Sequence, residues 1–76
     1  MESTKILNVK GLACPMPIVK TKKAMNELHL GDVLEIHATD KGAKKDLTAW
    51  AKVSGHEMLK YEEDGEVLKF WMKKGN

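Results

Sequence analysis

The spacing of hydrophobic and polar positions along the chain predicts strands and helices in alternation. Leu34, Ile36 and Ala38 alternate with polar neighbours, which is the period of a half-buried strand. A weaker alternation predicts a strand near the start of the chain. Near its end, two more predicted strands flank residues 63–66, which contain Asp-Gly, a strong hairpin signal. The predicted strands are residues 4–10, 33–39, 57–62 and 67–73.

Two intervening segments repeat their apolar residues every three or four positions, which is the spacing of one helix face. They predict helices over residues 15–28 and 41–54. Asp40 is expected to cap the second helix, and Gly55 stands where helices commonly end. The residues predicted to face inward are Ile18, Thr21, Met25 and Leu28 in the first helix, and Leu47, Trp50, Ala51 and Ser54 in the second.

The element order β-α-β-α-β-β predicts the fold class. Two crossover helices and a terminal hairpin favour an α/β (α+β) two-layer sandwich, in which a mixed four-stranded sheet carries both helices on one face. A chain of 76 residues is expected to form a single domain, residues 1–76. Because a domain of this size buries only about 60–65% of its unfolded surface, its core is thin. A functional site is therefore expected at the surface.

Composition narrows the classes of function. The net charge is +2, and all thirteen basic residues are lysines. Because arginine is the usual bidentate reader of guanine and phosphate, stable nucleic-acid binding is not expected. No signal peptide is expected in residues 1–10, and no apolar stretch approaches the ~18 residues of a membrane span. With one cysteine in the sequence, these features predict a cytoplasmic monomer that is not membrane-embedded.

The segment Cys14-Pro15-Met16-Pro17 opens the first predicted helix and carries the strongest chemical signal. Cys14 precedes a proline, which favours the extended backbone of an N-cap residue, and Pro15 suits the first helical position. Because Pro17 has no N–H, only the Met16 amide is expected to reach the sulfur. A helix N-terminus favours an anion, so we expect an exposed thiol that ionises readily.

Lys20 and Lys23 follow one to two turns along this helix. They are expected to lower the thiol pKa slightly and to dock an acidic partner. A lone cysteine in a small domain is most often a buried apolar residue, but a place between a connection and two prolines favours exposure. Since there is no second cysteine, any chemistry of Cys14 must involve another molecule.

The histidines and tryptophans give weaker signals. None of the histidines has metal-ligand spacing with the cysteine, so neither a metal nor a cofactor is expected. Trp50 is expected in the core. Trp71 is expected on the open face of the sheet, either as an interaction residue or as an ordinary half-exposed aromatic. The three histidines are His29, His37 and His56.

The segment around Cys14 resembles that of the TusA (SirA-like) sulfur-carrier family, and the resemblance extends over nearly the whole chain. The most specific element is Gly11-Leu12-x-Cys14-Pro15-x-Pro17 after the first strand. The resemblance implies the β-α-β-α-β-β sandwich as one TusA-like domain. The other matching elements are Gly31-Asp32, Asp40, Lys45-Asp46, Gly55-His56 and Lys73-Lys74.

The resemblance implies a sulfurtransferase-type carrier. Cys14 would accept a sulfane sulfur from a donor protein, often a cysteine desulfurase, and hold it as a persulfide. A downstream acceptor protein would then take the sulfur by thiol exchange, for tRNA thiolation, cofactor synthesis or sulfur metabolism. In this scheme Cys14 is nucleophile and carrier, and partners supply acid–base help. The supporting turn and helix N-terminus are Gly11, Leu12, Pro15, Met16 and Pro17.

Two positions depart from the family pattern; the first bears on reactivity or partner choice, and the second is expected only to loosen the start of the second helix. Asn8 stands where many members have an acidic residue, and Lys41 stands where proline is usual.

Two other functions remain open. The lysine excess and an open sheet face are compatible with a regulatory or RNA-binding module, and Cys14 could serve as a sulfenic-acid redox sensor with a partner thiol.

Overall fold

The computed structural model describes residues 3–75 and arranges them in the predicted order of elements. These elements are β1 (Lys5–Val9), α1 (Met16–Asn26), β2 (Val33–Ala38), α2 (Ala43–Ser54), β3 (Glu57–Asp64) and β4 (Val67–Lys73). Within the described residues, the strands form one sheet in the order β1-β2-β4-β3. β1 and β2 are parallel, and the other neighbours are antiparallel. The predicted mixed sheet and two-layer fold are confirmed.

The core lies between the helices and one face of the sheet. Leu34 and Ile36 of β2 are fully buried, opposite Met72 and Phe70 of β4. The alternation in the sequence therefore marks the side that faces the helices. The helices close this layer with buried residues from their predicted inner faces, namely Thr21 and Met25 in α1 and Leu47 and Ala51 in α2.

α1 is shorter than predicted and ends at Asn26. The next two amides, of Glu27 and Leu28, donate to carbonyls three residues back rather than four, so the helix tightens and stops. Leu28 is nevertheless only 9% exposed. Its predicted place in the core is therefore confirmed even though it lies outside the helix.

α2 begins at Ala43 rather than at residue 41, and Gly42 is its N-cap residue. Asp40, the predicted cap, instead accepts the Gly42 N–H with Oδ1 at 3.4 Å and the Ala43 N–H with its backbone carbonyl at 3.0 Å. It therefore stabilises the turn before the helix. The helix ends as predicted, since Gly55 is left-handed with φ 80°.

The terminal hairpin is tighter than predicted. Asp64 pairs with Val67, which extends β3 and leaves Gly65 and Glu66 as a two-residue turn. Gly65 has φ 63°, which glycine tolerates without strain. The Asp-Gly signal located the turn correctly, but not its length.

The tryptophans take different places in the fold. Trp50 is half-buried and packs against the core, with its ring 5.1 Å from that of His56. Trp71 lies on the sheet face away from the helices, as predicted, but is only 7% exposed. Its Nε1–H donates to Glu35 Oε1 at 3.1 Å, and Lys60 Nζ lies 5.4 Å from the ring centroid. The indole is covered by its neighbours, so the expectation of a half-exposed aromatic was wrong.

Candidate functional site

The loop after β1 is held close to the end of β2. The Lys10 N–H donates to Asn8 Oδ1 at 3.0 Å, which turns the chain as the strand ends. The Gly11 N–H then donates to Thr39 Oγ1 at 2.9 Å. Gly11 has φ 82°, so a glycine suits the turn. Leu12 packs against the core and anchors the loop beside the sheet.

The next residues form the first turn of α1. The Met16 N–H donates to the Ala13 carbonyl at 2.9 Å, and the Val19 N–H donates to the Pro15 carbonyl at 3.1 Å. Pro15 is the N-cap residue, and the Cys14–Pro15 peptide bond is cis. Pro17 is the second helical residue and is buried, so it ties this turn to the core.

The predicted N-cap role of Cys14 was wrong. The cysteine lies one residue outside the cap, and within the described residues no side chain caps α1. The Met16 amide, which was expected to reach the sulfur, is taken by the Ala13 carbonyl. A backbone acceptor three residues away thus satisfies the amide that the thiol would have needed. The sulfur gains no hydrogen bond from that amide.

The Cys14 side chain is exposed, as the sequence predicts, and lies at the mouth of a shallow crevice. β1 and β2 run parallel and each leads into a helix, so both helices begin at the same edge of the sheet. The first turn of α1 therefore faces the start of α2 across the crevice. Its lining residues are Cys14, Pro15, Pro17 and Ile18 on one side, and Asp40, Ala43 and Asp46 on the other.

The electrostatic environment of the thiol is opposite to the one expected. The pKa of Cys14 is raised from its ordinary value of 9.0. Partial loss of water against the crevice is the largest cause, and the negative charge of the nearby Asp46 carboxylate follows. The charge of Asp40 adds a smaller effect of the same sign. These groups favour the protonated thiol, so the prediction of a readily ionised sulfur was wrong.

Lys20 and Lys23 are both exposed, but they belong to another surface. They line a shallow groove on the flank of α1, together with Lys5, Leu7, Ala24 and Glu27. In this groove Lys5 pairs with Glu27 at 3.3 Å. Neither Lys20 nor Lys23 is among the causes of the Cys14 shift, so they do not lower the thiol pKa as expected. Their role in docking a partner stays a prediction.

The histidines lie apart from the cysteine crevice. His37 contacts Glu35 on the sheet, and His56 Nδ1 accepts the Gly75 N–H at 3.2 Å. His29 follows the end of α1, where its N–H donates to Asp32 Oδ2. Residues 3–75 contain no group of three or more His, Cys, Asp or Glu side chains arranged to hold a metal.

The two aspartates beside the thiol were missed as site residues, although the sequence contained a usable signal. The ends of neighbouring parallel strands, and the helices that follow them, meet at one sheet edge. Asp40 and Asp46 flank the predicted start of the second helix. Once the first two strands are paired in parallel, as they are here, the two carboxylates fall at the same edge as Cys14.

The fold and this edge define a class of protein, a small two-layer α+β domain that presents a solitary exposed cysteine at the start of its first helix. The family model described as "Sulfurtransferase TusA" matches residues 5–74. The chain belongs to this family. Within residues 3–75, neither helix has the length and apolar character that a membrane span requires.

Named relatives extend this assignment. The chain is 65% identical over 75 residues to "Putative sulfur carrier protein YrkI" of Bacillus subtilis, covering 99% of this chain and 100% of the relative. It is 43% identical over 68 residues to "Sulfur carrier protein TusA" of Allochromatium vinosum, covering 90% of each. Among solved structures, the SirA-like protein of Desulfitobacterium hafniense is similar with a TM-score of 0.82 and 26% identity, covering 95% of this chain and 99% of that one.

Proposed function

We propose that the chain is a sulfur carrier that accepts sulfane sulfur on Cys14 as a persulfide and relays it to an acceptor protein. The observation that carries this proposal is the position of Cys14, an exposed thiol and the only cysteine of the sequence, at the start of α1. Membership of the TusA family and relatives named as sulfur carriers support the same conclusion.

The proposed loading step is an exchange without net oxidation. The Cys14 sulfur attacks the outer sulfur of a donor cysteine persulfide, so a new S–S bond forms on Cys14 and the donor's S–S bond breaks. The Cys14 proton ends on the departing donor sulfur, which is released as a thiol. Unloading repeats the exchange: an acceptor thiol attacks the outer sulfur, and Cys14 returns to the thiol.

The shape of the site suits transfer between two macromolecules. The thiol stands at the surface beside a shallow crevice, so a partner's persulfide can approach it directly. A cysteine desulfurase or another sulfur-donor protein is the proposed donor, and Lys20 and Lys23 are proposed to dock an acidic partner surface. We further propose that the single domain acts as a cytoplasmic monomer, in tRNA thiolation, cofactor synthesis or sulfur metabolism.

The test is intact-mass analysis after incubation with L-cysteine and a cysteine desulfurase. The wild-type chain should gain the mass of one sulfur atom, and dithiothreitol should remove it, since a thiol reduces a persulfide. Cys14→Ser is the matched control, because it replaces only the sulfur. No gain in the wild type, or an equal gain in Cys14→Ser, would contradict the proposal.

A further inference from the structure

A second concave surface, separate from the Cys14 crevice, lies between the start of α2 and the β3–β4 hairpin. It is a cavity with a volume of about 750 Å³. Tyr61 of β3 pairs with Phe70, which belongs to the core between sheet and helices. Glu63 and Leu68 form the next pair on the same side of the sheet, two residues further along each strand. The cavity therefore lies on the helix-facing side of the hairpin.

Charges of opposite sign line this cavity from its two sides. None of them belongs to an ion pair within residues 3–75. On the other face of the same hairpin, charged residues do pair, Lys60 with Glu62 at 2.9 Å and Lys69 with Asp64 at 3.6 Å. The two signs in the cavity thus face one space without neutralising each other. The charged lining residues are Lys41 and Lys44 on the α2 side and Glu63 and Glu66 on the hairpin side.

Tyr61 lies between the two signs of charge. Lys44 Nζ lies 4.4 Å from the centroid of the Tyr61 ring. The Tyr61 hydroxyl donates to Glu63 Oε1 at 2.7 Å. Leu68 adds apolar surface to the same lining. The cavity therefore offers a cationic side, an aromatic and apolar middle, and an anionic side.

We propose that this cavity binds a short peptide with free termini. The terminal carboxylate of the peptide faces the two lysines, its terminal ammonium faces the two glutamates, and an apolar side chain packs on Tyr61. A ligand with charge of only one sign would meet a wall of like charge, which disfavours it. The volume lies within the range of small-molecule sites and leaves room for more than a single amino acid.

The place of the cavity in the fold agrees with this proposal. It lies where β2 ends, and ligand sites of open α/β sheets commonly lie at the carboxyl ends of the strands. Thr39, which follows β2, lines the cavity, and its hydroxyl accepts the Gly11 N–H of the loop that leads to Cys14 at 2.9 Å. The cavity side chains take no part in the sulfur exchange, so the inference goes beyond the proposed function.

The test is titration of the isotope-labelled chain with the tripeptide Ala-Leu-Ala at millimolar concentrations and low ionic strength, followed by the chemical shifts of backbone amides. Saturable shifts should appear at amides that line the cavity, such as those of Lys44, Gly65 and Leu68. The same peptide with an acetylated N-terminus, an amidated C-terminus, or both, is the comparison. Because exposed ion pairs contribute modestly, blocking one end should weaken affinity by about threefold, and blocking both ends by about tenfold.

Two variants assign the ends of the peptide to the two sides of the cavity. Lys44→Gln should reduce the loss of affinity caused by C-terminal amidation, and Glu63→Gln should reduce the loss caused by N-terminal acetylation. Lys45→Gln and Glu62→Gln are the matched controls, because these neighbours are exposed and do not line the cavity. Both control variants should discriminate among the peptides as the wild type does.

Three results would overturn the proposal: no saturable shifts, shifts that map away from the cavity, or equal affinity for the free and the doubly blocked peptide. An equal effect of the control variants would also contradict it. The peptide series needs no substitution, so it decides the question even if a variant fails to fold. None of these measurements involves a sulfur donor, so their outcome is independent of whether Cys14 gains sulfur.

Discussion

Thr21 offers a direct test of how α1 is held under the Cys14 turn. Its side chain is fully buried, at 0% exposure, on the face of α1 that packs against the sheet. The Oγ1 hydroxyl has no hydrogen-bond partner among residues 3–75. A buried hydroxyl without a partner destabilises the folded chain, since it loses its hydrogen bond to water.

The expected size of this effect follows from the burial. Leaving a buried polar group unsatisfied costs about 1 to 3 kcal/mol in mutational data. Valine has nearly the same shape as threonine, and the two have similar helix propensities. Thr21→Val should therefore raise the free energy of unfolding by about 1 to 2 kcal/mol. For a domain of this size, each kcal/mol corresponds to about 4 to 8 °C in melting temperature.

The measurement is urea unfolding followed by circular dichroism, with thermal melts as a second reading. Thr48→Val is the matched control, because Thr48 is exposed on α2 and the same replacement there should change stability by less than about 0.5 kcal/mol. A Thr21→Val chain that is no more stable than the wild type would refute the reasoning. That result would mean that the Thr21 hydroxyl has a hydrogen-bond partner in solution, or that it stabilises the core.

Two further predictions concern titratable groups away from Cys14. Hydrogen bonds from His37, Ser3 and Trp71 favour the Glu35 carboxylate, and its pKa lies below the ordinary 4.5. Its stabilisation is therefore present above about 4.5 and lost as pH falls through the lower folded-state pKa. Glu35→Gln should lower the free energy of unfolding near neutral pH by about 1 to 2 kcal/mol, and by less at acidic pH. Urea unfolding at the two pH values measures this, and equal losses at neutral and acidic pH would contradict the account. Tyr61, the only tyrosine, donates to Glu63 at 2.7 Å, and its pKa is raised to about 12. Ultraviolet titration should show its phenolate forming near that pH, and Glu63→Gln should move the midpoint toward 10.0; a native midpoint already at 10.0 would argue against the contact.

The boundaries that the sequence predicted incorrectly depend on single hydrogen bonds. The sequence predicted Cys14 as the N-cap and Pro15 as the first helical residue. The Met16 N–H instead donates to the Ala13 carbonyl, and the helix starts one residue later. Asp40 reads as a cap, yet its carboxylate bonds the turn at Gly42. The competing acceptors form hydrogen bonds of similar strength, so the local sequence pattern does not predict which acceptor an amide uses or where the helix begins.

Local patterns in the sequence were sufficient to predict the order of elements, the side of the sheet that faces the helices and the exposure of the single thiol. Each follows from local information: hydrophobic period, turn residues and prolines beside Cys14. The direction of the thiol's pKa shift, by contrast, depends on surroundings that form only in the folded chain. The helix-terminus effect predicted from the sequence acts within one turn. The crevice that removes water from the thiol and places Asp46 nearby forms only when the parallel pairing of β1 and β2 brings the two helix starts together. Loss of water and Coulomb interactions both depend on which groups are close in space rather than along the chain, so the sign of the pKa shift became known only with the fold.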